Sequence, residues 1–394
     1  MSGNTSNTAP SSDSTDDPVR NRQRDSAGAD ESHVRVEQIR KTFNDGSVVA
    51  CEDVNIDIDE GEFVVLVGPS GCGKTTTLRC IAGLEQPDDG RIVVDGDDVT
   101  DAKPKDRNLA FVFQSIALFP HMTVRRNIRF GLDMNTDLPD EEKDRRVEDV
   151  AETLGIDGML DRKPKALSGG QQQRVSLGRA MVMEPDAFLL DEPFSALDAN
   201  LRDQMRVEVK QIQRELNKPM VFVTHDQEEA MTLGDKIVVM DDGNVQQIGT
   251  PHEIYNDPTN LFVADFIGSP SPNLLDCTVV EDGGELRLRN AAFEVSVTDE
   301  QAAVLRERVG DRVVLGVRPE YLALNDAETN GAFTANVDVV EPLGDRDAVH
   351  LSADGQSLSA VTPQGRVGRR TDEVAVEMEI ERAWLFETDG TRLV

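Results

Sequence analysis

Gly68, Gly73, Lys74 and Thr75 lie in "GPSGCGKTT" at the spacing G-x-x-x-x-G-K-[ST], a set of residue types suited to binding phosphate. The glycines leave backbone N–H groups free to wrap an oxyanion, the lysine reaches β and γ oxygens, and the threonine hydroxyl is a ligand for Mg²⁺. Acids follow in "AFLLDEP". Its apolar run brings Asp191 to the carboxyl end of a buried strand, where open α/β sheets place their ligands and where a carboxylate holds Mg²⁺, commonly through water. Glu192 comes next and faces the γ-phosphate, which makes it the candidate general base for an attacking water. His225, in "FVTHD", also follows an apolar run; it reads as a sensor that donates to the γ-phosphate or orients the water. Gln114, in "FVFQ", is a neutral side chain able to report on Mg²⁺ and γ-phosphate without adding charge. Phe43 offers a ring for stacking on adenine, with core burial as its alternative use.

A second anion-binding pattern stands far along the chain in "LSGGQQQR", Leu167 to Arg174. Ser168 with Gln171 three residues later forms a capping box. Gly169 and Gly170 leave the first N–H groups of that helix uncovered, at the positive end of its dipole. One chain therefore carries two phosphate-binding patterns.

Positioning these residues requires strands that end beside one another. "EFVVLV" (Glu62 to Val67), "AFLL" (Ala187 to Leu190), "MVFVT" (Met220 to Thr224) and "KIVVM" (Lys236 to Met240) are short and apolar on both alternating faces, which predicts strands in the buried middle of a parallel sheet. Amphipathic segments such as Asn200 to Leu216 lie between them, so the class is α/β. The texture changes at "SPSPN", Ser269 to Asn273, beyond which short alternating runs punctuated by Gly, Asp and Pro predict a small β-barrel or sandwich. A length of 394 residues suits two domains. The expected division is a disordered leader over 1–32, a catalytic domain over 33–268 and a β-rich domain over 269–394.

Acids outnumber bases 74 to 41, giving a formal net charge of -33 spread along the chain. Such a surface repels nucleic acid and matches the solubility strategy of proteins from high-salt cytoplasm. Cys51, Cys72, Cys80 and Cys277 show no CxxC pair, so reduced thiols are expected. The sequence has no apolar run long enough to span a membrane and no secretory signal. Work at a membrane would go through a partner.

In this order the motifs resemble those of the ATP-binding subunits of ABC transporters, from residue 34 to about 394. "GPSGCGKTT" looks like the Walker A loop, which implies ATP contacts from Gly68, Pro69, Ser70, Gly71, Cys72, Gly73, Lys74, Thr75 and Thr76. "LSGGQQQR" looks like the ABC signature, "FLLDEP" like Walker B and "SALD" (Ser195 to Asp198) like the D-loop, while Gln114 and His225 match the Q-loop and switch positions. The resemblance implies a P-loop NTPase domain with a helical subdomain over about 115–175, followed by an OB-like (TOBE) domain. It implies Thr75, Gln114 and Asp191 around Mg²⁺. It also implies head-to-tail pairing, in which Ser168, Gly170, Gln171 and Asp198 face the ATP held by a second subunit.

"FQSIALFPHMTVRRNIRFGL", the stretch from Val223 to Asn273, and "GVRPE" are similar to importers of the maltose type. Their partners would be a second ATP-binding subunit, two transmembrane permease subunits and an extracellular solute-binding protein, at the cytoplasmic face of the cell membrane. Gln114 to His121 would meet the permease, with Ile116, Ala117, Leu118 and Phe119 either lining that groove or buried in the core. Phe43 stands where many relatives use Tyr or Trp, and Pro272 where they use Met. The expected function is an ATPase powering carbohydrate uptake, with xylose, arabinose, glucose and maltose all open. Polyamine, iron(III) or sulfate import is the first rival. A soluble ABC ATPase of DNA repair or translation would need a coiled-coil insertion or a second cassette, which the sequence lacks; a regulatory binding protein is a third class.

Overall fold

The computed structural model describes residues 33–325, 332–368 and 371–394. The leader expected over 1–32 lies outside the described residues.

The apolar runs make the central sheet. Strands β3 (Phe63–Val67), β6 (Leu109–Val112), β7 (Ala187–Asp191), β8 (Met220–Thr224), β9 (Lys236–Asp241) and β10 (Asn244–Gly249) stand in the order 10-9-3-8-7-6. All pair in parallel except β10, which turns back on β9. Every residue of β3 and β8 is buried, because the sheet is covered on both faces. Alternate residues feed two different cores. Val65, Leu190 and Phe222 pack with Ile128, Val175 and Met205 from helices α2 (Val124–Asn135), α4 (Gly169–Met181) and α5 (Ala199–Leu216). Val64, Leu66, Leu189 and Val221 pack on the other face with Leu78 and Ile81 of α1 (Lys74–Ile81). Helix α3 (Asp140–Thr153) joins the first core through Val147 and Ala151.

A four-stranded antiparallel sheet, ordered 2-1-4-5, closes the second core. It comprises β1 (Val34–Phe43), β2 (Val48–Ile58), β4 (Asp89–Val94) and β5 (Asp97–Asp98). Beside it Arg107, buried, donates to the carbonyls of Cys80 at 2.7 Å and Ile81 at 2.8 Å. A cation there satisfies the open carbonyls that end α1 and complements its dipole, so the helix behind the phosphate loop is anchored at its far end.

Helices α6 (Gln227–Leu233), α7 (Pro251–Asn256) and α8 (Leu261–Phe266) lead into two five-stranded antiparallel sheets. One contains β11 (Asn273–Asp282), β12 (Glu285–Arg289), β13 (Glu294–Ser296), β14 (Arg312–Val317) and β20 (Trp384–Phe386), in the order 13-12-11-14-20. The other contains β15 (Leu322–Asn325), β16 (Phe333–Pro342), β17 (Arg346–Ala353), β18 (Gln356–Pro363) and β19 (Glu373–Met378), in the order 15-19-16-17-18. They share one core that includes Val313, Leu315, Val349, Leu351 and Val376.

Arg318, fully buried, fastens this β-rich part to the helices before it. Its guanidinium lies 3.9 Å from the Tyr255 ring and 4.9 Å from that of Trp384, and donates to the carbonyls of Tyr255 at 2.8 Å and of Ile267. Gly268 has φ +127°, and a Cβ there would meet the Arg318 guanidinium at 2.4 Å, so the chain passes the arginine only as glycine. Arg318→Ala strands buried carbonyls and two aromatic faces, and we expect it to cost roughly 3 kcal/mol. Calorimetry should then show the single melting transition split into two; one unshifted transition would contradict this role.

Candidate active site

The phosphate loop runs from the end of β3 to the start of α1. Gly73 has φ +104°, and a Cβ on it would fall 2.2 Å from the Ala50 carbonyl oxygen, so glycine is required on both conformational and steric grounds. Lys74 begins the helix, is 5% exposed, and donates to the carbonyls of Gly68 and Pro69, both at 2.8 Å. Its ammonium thus lies across the mouth of the loop. Ser70 and Gly71 form the exposed tip, Pro69 and Thr76 are half-buried, and Cys72 is buried with its thiol pushed up by burial.

Thr75 and Asp191 meet although 116 residues separate them: the threonine hydroxyl donates to Asp191 Oδ1 at 2.9 Å. Burial pushes the Asp191 carboxyl up from its ordinary range, while the Thr75 hydroxyl pulls it back. A carboxylate so desolvated favours a nearby cation. Glu192 follows with φ +42°, a left-handed conformation that a non-glycine residue holds only where its surroundings enforce it. Here its N–H donates to Val223 O at 3.1 Å and its carbonyl accepts from the Ser195 hydroxyl at 2.9 Å. The turn aims the carboxylate at two neighbours. Gln114 Nε2 donates to Glu192 Oε2 at 3.0 Å, and His225 Nδ1 lies 3.4 Å from the same oxygen. Gln114, Glu192 and His225 follow β6, β7 and β8 respectively, so the parallel order of the sheet converges them beside the phosphate loop.

Ser168 and Gln171 form the capping box read from sequence, with Ser168 N–H donating to Gln171 Oε1 at 3.0 Å and Gln171 N–H to Ser168 Oγ at 3.4 Å. Ser168 is exposed and Gly170 buried; no hydrogen bond among the described residues joins 167–174 to the phosphate loop. Asp198 caps α5, accepting from Leu201 N–H at 3.1 Å. Phe43 ends β1, is 37% exposed, and carries the Lys41 ammonium 5.3 Å from its ring centre. Of the residues expected at a permease groove, Leu118 packs on the main core and Phe119 on Phe130 at 4.6 Å, leaving Ala117 exposed and Ile116 half-buried.

One group near the site went unread in the sequence. Arg202 and Arg206, four apart on one face of α5, reach Asp226 and Glu229 just beyond His225. The i,i+4 spacing was visible, but the acids that answer it come from a different element.

Comparisons with known proteins give the family. The ABC transporter family model matches residues 51–195, the MalK OB fold domain model 268–322 and the TOBE domain model 315–386. The chain is 46% identical over 367 residues to a xylose/arabinose import ATP-binding protein of Haloferax volcanii, covering 90% of this chain and 94% of that one. It is equally identical over 370 residues to a trehalose/maltose import ATP-binding protein of Thermococcus litoralis, covering 90% and 97%. A third relative, 42% identical over 92% of this chain and 96% of its own, is an sn-glycerol-3-phosphate import ATP-binding protein of Rhizobium johnstonii. Among solved structures, a dimeric ATP-binding cassette in a post-hydrolysis state, bound to ADP and Pi, is 33% identical with a TM-score of 0.50, covering 55% of this chain and 98% of that one. The chain belongs to the ABC transporter family of ATP-binding proteins and binds nucleotide.

Proposed function

We propose that this protein is the ATP-hydrolysing subunit of an import system and that its solute is a carbohydrate. The observation that carries the ATPase reading is the meeting of Gln114, Glu192 and His225 beside the phosphate loop. Lys74 and the loop N–H groups hold the β- and γ-phosphates. Glu192 takes the proton of the attacking water, Gln114 holds that carboxylate from one side, and His225 fixes the water or the γ-phosphate from the other. Phe43 stacks on adenine.

Thr75, Asp191 and Gln114 would hold Mg²⁺, which when bound neutralises charge on the phosphate oxygens. Among the described residues no cluster of three His, Cys, Asp or Glu is placed to bind a metal; Mg²⁺ at a nucleotide uses one or two protein groups with phosphate and water completing the shell, so the Thr75–Asp191 pair suits it.

The catalytic domain runs over 33–268 and a regulatory domain over 269–394. Two ATP-binding subunits pair head to tail, so that the exposed Ser168 and the N-terminus of α4 cap the ATP of the neighbour, with Gly170, Gln171 and Asp198 beside it. No helix among the described residues is long and apolar enough to cross a membrane, and the coupling partners are two permease subunits and an extracellular solute-binding protein. Carbohydrate is favoured because two of the three relatives above carry sugar import in their names.

The test is uptake of labelled pentoses, glucose, maltose and glycerol 3-phosphate by cells lacking the gene, complemented with wild type or Glu192→Gln. We expect one sugar to be restored by wild type alone. Restoration of glycerol 3-phosphate only would move the assignment to that solute, and no dependence of any solute would remove the transport reading.

A further inference from the structure

Each chain's two phosphate-binding ends, its own P-loop site and the signature it offers a neighbour, are joined by the first turn of α5. The signature side rests on that turn. A Cβ on Gly170 would meet Leu201 Cδ1 at 2.7 Å and push that side chain aside, while one on Gly169 would make ordinary contact with Leu197 Cδ2 at 3.4 Å, so the start of helix α4 packs directly on these leucines. The catalytic side is reached by the next residue, Arg202. Its guanidinium donates to the Leu197 carbonyl at 3.4 Å, lies 3.5 Å from Asp226 Oδ2 and 3.9 Å from Glu229 Oε1.

Those two acids follow His225 in the chain and line one small cavity with it. Asp226 N–H donates to Thr224 Oγ1 at 2.9 Å, and that hydroxyl donates to Glu229 Oε2 at 2.6 Å. Asp226 Oδ1 also accepts from Glu228 and Glu229 N–H, fixing the start of α6. A cavity of about 40 Å³, enough for a water molecule, lies in the middle, lined by Glu192, Ser195, Arg202, His225, Asp226 and Glu229 with Thr224.

Two guanidiniums answer the two carboxylates Asp226 and Glu229. Arg206, 7% exposed, lies 3.0 Å from Asp226 and 3.5 Å from Glu229. Arg206 also reaches Asp203 at 3.2 Å and Glu228 at 3.6 Å, but it makes no bond to Leu197. What Arg202 adds is the bond to Leu197, in the segment between Glu192 and α5. We propose that Arg202 is a positioning residue that ties His225 to the turn bearing the signature helix, so that closure on a neighbour's nucleotide sets the chain's own His225 for hydrolysis. This rests on the role given to His225 and on the head-to-tail pairing in the proposed function.

The experiment uses the full chain with Mg-ATP and single-turnover kinetics. Arg202→Ala should lower the hydrolysis rate about tenfold with KM for ATP changed less than about twofold, and Arg202→Lys, which keeps the charge but cannot bridge both partners, should recover part of it. In a His225→Ala chain, Arg202→Ala should bring no further loss. In a Glu192→Gln chain it should leave ATP-dependent dimerisation intact, because the defect lies after closure. Rate losses that multiply in the double variant, or a raised KM with an unchanged rate, overturn the proposal. If His225→Ala alone hydrolyses at the wild-type rate, the role of His225 fails first, and that result is separate from any result on Arg202. Should Arg202→Ala melt early, Arg202→Lys in both His225 backgrounds carries the same comparison.

Discussion

Replacing Glu192 by Gln leaves ATP bound and slows its hydrolysis by roughly 10²- to 10⁴-fold. The substitution changes one atom and removes one capacity. An amide fills the volume of the carboxylate and still accepts a hydrogen bond at its oxygen, so the contact from Gln114, 3.0 Å in the native chain, has a partner. The backbone at φ +42° is held by Val223 and Ser195, neither of which touches the altered group. Lys74 and the Thr75–Asp191 pair are untouched, so affinity for the phosphates persists. Only the proton of the attacking water has nowhere to go. Since the γ-phosphate is what both subunits grip, a chain that cannot cleave it stays closed, and size-exclusion chromatography with Mg-ATP should show a dimer that wild type does not accumulate. A persistent monomer with ordinary turnover would place the base elsewhere.

That much of the site could be read before any coordinates, because its chemistry is written in short contiguous runs. The glycines of the phosphate loop, Lys74 and Thr75 lie within one turn of chain, and Asp191 and Glu192 end an apolar run whose strand character is unmistakable. Strands β3, β7, β8 and β9 are legible for the same reason: buried on both faces, they are apolar throughout their middles and carry polar residues only at their ends. The antiparallel sheet was not legible. β1 reads "VRVEQIRKTF", its pairings with β2 and β4 are broken by register shifts, and Gln38 sits at φ +52°; each bulge flips the inward face and destroys the period of two. Phe43 is the last residue of β1. In the β-rich part the alternating runs announce strands, yet the order 15-19-16-17-18 depends on pairings between distant segments that no local pattern encodes. Arg318 shows the limit most sharply. An arginine in a turn motif reads as solvated, and its complete burial is set by Tyr255 and Trp384, which stand far from it in sequence on either side.

Ser168→Arg should abolish ATP-dependent pairing while leaving nucleotide affinity of the isolated chain within about twofold, losing at most the roughly 1 kcal/mol of a helix cap. The two effects separate because of where Ser168 stands. It is exposed at the start of α4, its hydroxyl serves the N–H of Gln171 in the same turn, and its chain's own phosphate loop makes no hydrogen bond to it among the described residues. A long side chain there fills space that, in a head-to-tail pair, belongs to the γ-phosphate of the neighbour. The dimer-trapping Glu192→Gln background gives the cleanest readout, since any closure that survives would accumulate. Nucleotide binding is then followed separately on dilute monomer, for example by fluorescence of a labelled ATP analogue. Lost pairing with retained affinity means the signature reads the other chain's ATP. A steep fall in monomer affinity would mean that Ser168 reaches its own nucleotide, and the head-to-tail arrangement would have to be given up along with the route through Arg202 that depends on it.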